Sequence, residues 1–494
     1  VNELALISAT ELSALYKSRK ASPMEATKAV LGQIAALNPH LNAFCWLDED
    51  AALAAASASE QRWSKGQQLS PLDGIPTTVK DLSYTRGWPT RRACYAIGAK
   101  GPWTEDSCSV ARMRDAGAVL IGKTTVPEFA AAFWTRSPMC GVTRNPWNLD
   151  KTPGGSSGGA SASLAAGMGT IALGSDAAGS ARTPASATSI FGLKSTLGRI
   201  PDYPSSYLGT LAVIGPMTRT VADAALCMNE ITKPDSRDSY ALPSDGIDYV
   251  KAIQGGVKGL RIAYSPTLGY AQVDSDVASL VERGAKLLSE LGAKVEIVEK
   301  IFDDPTETLL TCMLPGVANA FRFFGFSTAQ QELIGAHIRE SARKGAAISI
   351  VDYLAARDAR EQLGALMRKF HERYDLLVTP VLATPPIGAE ESTSSDPRHK
   401  HITNMTPFTA AFNLTRQPAA SVPIGLTTDG LPVGMQVVGP LYGDALVMRA
   451  CHAIEQARPF PKPDLSKLLT LSRPEGIPRG IAAMNEAKIE LATS

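Results

Sequence analysis

Between residues 154 and 189, 26 of 36 positions are Gly, Ser or Ala, in numbers 8, 8 and 10. So little side-chain volume has two physical readings: a flexible linker, or backbone that must pack against backbone. Leu164, Met168 and Ile171 recur at helical spacing, so part of the block buries a face. The run Thr170-Ile171-Ala172-Leu173 reads as a buried strand. The block carries a single acid, Asp176, and a single base, Arg182, and a solvated linker of this length would carry more charge. The block is therefore read as packed structure.

The rest of the chain sets the class. Lys and Arg number 49 and Asp and Glu 48, so the net charge is +1 and there is no basic excess for a nucleic-acid partner. With 44% hydrophobic and 20% charged residues, the 494-residue chain can bury a large core. Seven cysteines, an odd number with no C-x-x-C pair, argue for free thiols rather than a zinc knuckle or a disulfide framework. Residues 1–20 read as an amphipathic helix with Leu4, Leu12, Leu15 and Tyr16 apolar, without the basic start and apolar run of a secretory leader. No stretch of 18 apolar residues exists. A soluble, reduced, cytoplasmic protein with no membrane partner is expected.

Helical signals fill 8–60, where Ser22-Pro23-Met24-Glu25 opens a second helix. A turn and short strand follow at 71–81, then a helix at 110–116 and a buried strand at 118–122. Residues 220–350 are more polar, with helical spacing at 221–228, 276–291 and 328–343 and strands at 260–264 and 294–298. Strands are expected again at 375–380 and 432–439, and residues 389–401 read as a polar, mobile loop. Strand signals at both ends favour one sheet shared by the whole chain, an α/β fold with helices on both faces.

The run Gly154-Gly155-Ser156-Ser157-Gly158-Gly159 leads into a helix and presents amides and two hydroxyls at its positive end. Phosphate would suit such a loop, but the Gly-Lys-Ser/Thr ending of a P-loop is missing. The second element, residues 174–184, presents Ser180 on a tight turn with consecutive N–H groups suited to an oxyanion. A nucleophilic Ser needs a base, and none of the six His lies in or beside the block. Lys80, in Thr77-Thr78-Val79-Lys80-Asp81-Leu82, is the candidate, provided burial lowers its pKa enough to give a neutral amine.

These residues resemble the amidase signature family of serine amidases over roughly residues 8–455. The carrying motifs are Gly-Gly-Ser-Ser-Gly-Gly at 154–159 and Gly-Ser-x-Arg-x-Pro at 179–184. Supporting segments are Pro71-Leu72-Asp73-Gly74-Ile75-Pro76, Val79-Lys80-Asp81, Gly122-Lys123-Thr124-Thr125, Asn145-Pro146-Trp147, Gly192-Leu193-Lys194 and residues 430–436. Among free-standing members the chain looks similar to aryl acylamidases and 6-aminohexanoate cyclic-dimer hydrolase. The resemblance implies one amidase domain over 1–494: a signature core at about 65–215, a variable helical region on the substrate side at about 220–350, and C-terminal strands at about 372–455. Its architecture would be a central twisted mixed β-sheet covered by helices on both faces. It implies a Ser–cis-Ser–Lys triad, with Ser180 as nucleophile, Ser156 as bridge after a cis peptide, and Lys80 as terminal base. The amides of Ala177, Ala178, Gly179 and Ser180 would hold the oxyanion. The reaction would turn a carboxamide into acid and amine through an acyl-enzyme, with no metal or organic cofactor. A carbamate or ester hydrolase, and the catalytic amidase component of a tRNA-dependent amidotransferase, are the alternatives. The partner would be a small-molecule amide, and a homodimer is left open.

Two departures from the family pattern stand out. Ala177-Ala178 replaces the common Thr-Gly, and an Ala restricts positive φ. Arg91 and Arg92 stand where the family usually has small residues, and read as a solvated or ion-paired surface with recognition of an acidic group as the alternative. In the family, the segment after the Gly-Lys-Thr strand lines the acyl pocket; here Phe129, Ala130, Phe133 and Trp134 are the candidate substrate contacts. Small residues beside aromatics favour a bulky apolar or aryl acyl group. A second aromatic cluster, Phe321, Phe323, Phe324 and Phe326, reads as core in preference to pocket wall.

Overall fold

The computed structural model describes residues 2–392, 396–399, 402–472 and 476–492. Its strands, in chain order, are β1 (Phe44–Leu47), β2 (Pro76–Lys80), β3 (Val119–Thr124), β4 (Arg136–Ser137), β5 (Gly141–Val142), β6 (Ile171–Asp176) and β7 (Phe191–Lys194). They continue as β8 (Val213–Thr218), β9 (Arg261–Tyr264), β10 (Lys294–Ile297), β11 (Leu376–Pro380), β12 (Ala419–Leu426) and β13 (Pro432–Val438). Eleven of them form one sheet in the order β1-β3-β2-β6-β8-β7-β12-β13-β11-β9-β10, and β4 and β5 pair apart. The sheet is mixed: β3, β2 and β6 run parallel, as do β11, β9 and β10, while β6, β8, β7, β12 and β13 alternate antiparallel. The β7–β12 pairing, at Ala420 against Leu193, joins strands more than 200 residues apart and makes the sheet common to both ends of the chain.

Helices flank this sheet and their starts are chemically marked. Ser8 and Ser22 each form a capping box, with Glu11 and Glu25, and Pro23 opens its helix. The N-terminal stretch is two helices, Glu3–Leu6 and Ala9–Lys17, because the Ser8 cap interrupts the first; Leu12 and Tyr16 are buried. The helical reading of 8–60 omits β1, four residues between the left-handed Asn42 and the Asp48 cap that hold the sheet edge against β3. The segment read as one helix at 328–343 is two, Thr328–Glu332 and Ala336–Ala347, broken where the Gly335 amide turns to donate to the Glu128 carboxylate at 2.8 Å. Of the polar loop at 389–401, residues 393–395, 400 and 401 lie outside the described residues; Pro397–His399 forms a 3-10 turn whose buried His399 ring meets the Gln272 carbonyl at 2.8 Å. Among the described residues no helix is long and apolar enough to cross a membrane.

The small-residue block occupies the middle of this arrangement. It forms the helix Gly158–Ala165, β6, and the helix Arg182–Thr188, and every residue of these three elements is buried. The helical spacing of Leu164, Met168 and Ile171 spans a helix end and a strand start, and all three side chains are fully buried.

Candidate active site

Lys80 ends β2, and β2 lies beside β6 in parallel with Val79 opposite Leu173. That register sets the lysine beside the Ser175 side chain at the end of β6. The Lys80 Nζ is 2.8 Å from Ser175 Oγ and 2.9 Å from Ser156 Oγ, and the residue is fully buried. Burial brings its amine down from the ordinary 10.5 to about 7, with the Asp176 carboxylate opposing. A neutral amine hydrogen-bonded to a serine hydroxyl is thus accessible near neutral pH.

The peptide between Gly155 and Ser156 is cis. A side chain on Gly155 would stand 2.5 Å from the Trp134 carbonyl and 2.9 Å from that of Ala132, so glycine is required there by close approach of backbone. This segment is tied to the Ser180 loop at two points. Ser157 N–H donates to the Ser180 carbonyl at 3.1 Å, and Thr183 Oγ1 donates to the Gly155 carbonyl at 2.7 Å.

The loop from Asp176 to Arg182 is wound around one carboxylate. Asp176 accepts from the amides of Gly179 (2.8 Å) and Ala181 (3.2 Å), and from both Arg182 Nε and Nη2 at 2.9 Å. Arg182 spends its remaining donors on the Thr409 carbonyl, Gln436 and Asn413. Burial alone would raise the Asp176 carboxyl, but Arg182, Lys194 and Asn413 outweigh it and hold it well below the usual carboxylate range. The fully buried ion pair therefore fixes the shape of the turn that presents Ser180.

That geometry distinguishes among the expected oxyanion residues. Gly179, at φ 122°, directs its N–H to Asp176 and is absent from the cavity wall, whereas Ala177, Ala178 and Ser180 line it. It also explains the Ala177-Ala178 departure: Gly179 takes the positive φ of this turn, and neither alanine does.

Ser180 opens on a cavity of about 660 Å³. Leu309, Met313 and Val317, spaced four apart on the helix Thr306–Phe324, form one wall, and Phe133 and Trp134 belong to the lining. Ala130 also lines it. Phe129 does not: it is buried against Phe324 and Phe326, with ring centroids 6.0 Å away in both cases, and its carbonyl accepts from the Tyr207 hydroxyl at 2.6 Å. Phe326 is core, Phe321 and Phe324 are half-buried and pack against the same cluster, and Phe323 is exposed. Arg91 and Arg92 are not free surface charge either. Arg91 Nε donates to the Ile97 carbonyl at 2.8 Å, and the Arg92 guanidinium lies 5.4 Å from the Phe324 ring and 5.9 Å from that of Tyr84. Among the described residues no group of three or more His, Cys, Asp or Glu is placed to hold a metal ion.

Sequence reasoning missed Ser175, Asn413 and the apolar wall from the helix 306–324. The period-four Leu309, Met313, Val317 was the available signal for the wall. Asn413 comes from a short helix 237 residues from Asp176, and no local pattern marks it.

Residues 25–448 match the amidase family model. The chain belongs to the amidase family. It is 34% identical to an acylamidase of Rhodococcus erythropolis over 92% of this chain and 96% of that one. It is also 34% identical to the A-type component of the glutamyl-tRNA(Gln) amidotransferase of Geobacter metallireducens, over 92% and 98%. Among solved structures, a bacterial aryl acylamidase of the amidase signature enzymes superposes with a TM-score of 0.85 at 32% identity, covering 94% of this chain and 98% of the other. A 6-aminohexanoate cyclic dimer hydrolase complexed with substrate gives 0.85 at 27% identity, covering 93% and 99%. The amidase is thus an amide-hydrolysing enzyme with a buried lysine–serine pair beside the loop that carries Ser180.

Proposed function

We propose that the amidase cleaves amides of aryl or hydrophobic acids through an acyl-enzyme on Ser180. The observation that carries this reading is the Lys80–Ser156 contact of 2.9 Å, with the lysine brought by burial to about 7, beside the loop that presents Ser180. Neutral Lys80 Nζ accepts the Ser156 hydroxyl proton while Ser156 Oγ accepts that of Ser180, and Ser180 Oγ bonds to the amide carbon. The oxyanion is held by the amides of Ala177, Ala178 and Ser180. Ser156 gives a proton to nitrogen as the C–N bond breaks, and Lys80 returns the proton to Ser156. Water then attacks the ester through the same relay, releasing the acid and restoring Ser180.

The apolar cavity supports an aryl or hydrophobic acyl group. Carbamates and activated esters fit the same route. The amidase component of a tRNA-dependent amidotransferase is the second reading, because a relative of that kind is 34% identical. A glutamine side chain would leave most of a 660 Å³ apolar cavity unfilled, which favours the free-standing hydrolase. The deciding experiment is Ser180→Ala with hydrolysis of 4-phenylbutanamide and labelling by a fluorophosphonate. Both are expected to vanish in a folded protein. A Ser180→Ala enzyme with full turnover overturns the mechanism, and glutaminase activity appearing only with partner proteins overturns the free-standing role.

A further inference from the structure

Ser180 lines two cavities that differ in size and in polarity. Besides the large apolar one there is a second, of about 60 Å³, whose wall includes Ser156, Ser175 and Ser180. Ala130, Ala177, Tyr207 and Leu208 line both and form the neck between them. Ser156 lines the small cavity only, and Ala178 the large one only.

The small cavity is the more polar of the two. Asp202, Arg92, Ser83, Ser107 and Ser206 are among the residues that line it. Ser107 Oγ is buried and has no hydrogen-bond partner among the described residues, and the same holds for Arg92 Nε. A water needs about 10–15 Å³ of such space, so this cavity takes roughly four to six waters, an ammonia or a short amine.

Resting on the Ser180 acyl-enzyme reading, we infer that the two cavities divide the substrate at the scissile bond. The large cavity takes the acyl group and the small one the leaving amine. The argument is one of proton delivery. When the C–N bond breaks, the electron pair stays on nitrogen, and the proton that nitrogen accepts comes from Ser156 Oγ. Nitrogen must therefore lie on the side to which Ser156 opens, which is the small cavity. The acyl carbon remains bonded to Ser180 Oγ, and its substituent fills the apolar side. The vacated small cavity then holds the water that attacks the ester, with its proton passing to Ser156 and on to Lys80. The substrate class that follows is a bulky apolar acid carrying a small polar amine, with primary amides foremost and anilides of small acids disfavoured.

The test holds the acyl group fixed and enlarges the amine: 4-phenylbutanamide, its N-methyl and N-butyl amides and its anilide, with acetanilide as the reversed arrangement. The expected kcat/KM falls along the series, with the anilide at least about tenfold below the primary amide although aniline is the better leaving group. Ile214→Ala and Val213→Ala, which widen the small cavity from β8, should raise the anilide-to-primary-amide ratio about fivefold or more. Met313→Ala, in the large cavity, should change acyl-length preference and leave that ratio in place. Faster turnover of acetanilide than of 4-phenylbutanamide, abolished by Ser180→Ala, overturns this division of the substrate and leaves the acyl-enzyme standing. Turnover of both by Ser180→Ala overturns the acyl-enzyme itself. If neither β8 variant folds, the wild-type series still decides.

Discussion

Titration of Lys80 connects burial to catalysis with a calculable slope. An amine at about 7 is ~9% neutral at pH 6 and ~91% neutral at pH 8, so kcat/KM for an amide should rise about tenfold over that interval and then level off. An amine left at its ordinary 10.5 would give about a hundredfold rise over the same interval and no plateau below pH 10. The assay is initial-rate hydrolysis of 4-phenylbutanamide from pH 5.5 to 10 at constant ionic strength, with chemistry shown to be rate-limiting. Asp202, pushed up to about 7 by burial and by nearby Asp238 against the opposing Arg92, titrates in the same range. Asp202→Asn is therefore the control: the rise must survive it. A continued climb past pH 9, or a flat profile, refutes the neutral-lysine argument.

The same burial makes a thermodynamic claim. The drop from 10.5 to about 7 corresponds to ~5 kcal/mol at about 1.4 kcal/mol per pH unit. The unfolded chain binds the extra proton between pH 7 and 10.5, so this group makes the fold less stable as pH falls through that window, and the full penalty stands below pH 7. Lys80→Met removes the penalty but leaves the Ser156 and Ser175 hydroxyls without the amine, a cost of about 1–3 kcal/mol each where unsatisfied. The variant should be inactive, and its stability relative to wild type should improve by about 3–4 kcal/mol between pH 10 and pH 7 in urea unfolding, whatever its absolute value. A stability difference constant across that range contradicts a neutral buried lysine.

Lys80→Ala should lose far more activity on amides than on activated esters, because an ester's alkoxide leaves without a proton; equal losses in a paired assay would show that the lysine does not serve leaving-group protonation. Asp176→Asn or Arg182→Met leaves a buried charge uncompensated and should destabilise by about 3–5 kcal/mol in denaturant unfolding. Gly179→Ala forces a side chain into a positive-φ position against Thr409 and should lower kcat about a hundredfold or more, read by steady-state kinetics. Ala178→Gly should leave kcat within about threefold, since no positive φ is needed there, with a stability loss of about 0.4–1 kcal/mol by thermal melting.

What the sequence made legible follows from how local each constraint is. The Gly-Ser block announced itself because close backbone approach can be met only by removing side chains, as at Gly155. Lys80 and Ser156, 76 residues apart, were joined only through resemblance to a family, since nothing in either local pattern states that the end of β2 and the loop before the helix Gly158–Ala165 meet at 2.9 Å. Gly179 was placed in the oxyanion set through the family resemblance, yet its amide direction depends on Asp176, which in turn depends on Asn413 far along the chain. Phe129 was misassigned for a related reason. The family resemblance put its segment in the pocket lining, and only the arrival of Phe324 and Phe326 from the variable helices turns Phe129 into core. The proposed catalytic pair is thus written in short motifs, whereas orientation, burial and the separation of a large apolar cavity from a small, more polar one are properties of the assembled sheet. Substrate choice belongs to this second kind. On the proposed division of the substrate, it is set by the helix Thr306–Phe324 on one side of Ser180 and by β8, Arg92 and Asp202 on the other, elements that meet only once β6 has been built into the centre of the sheet.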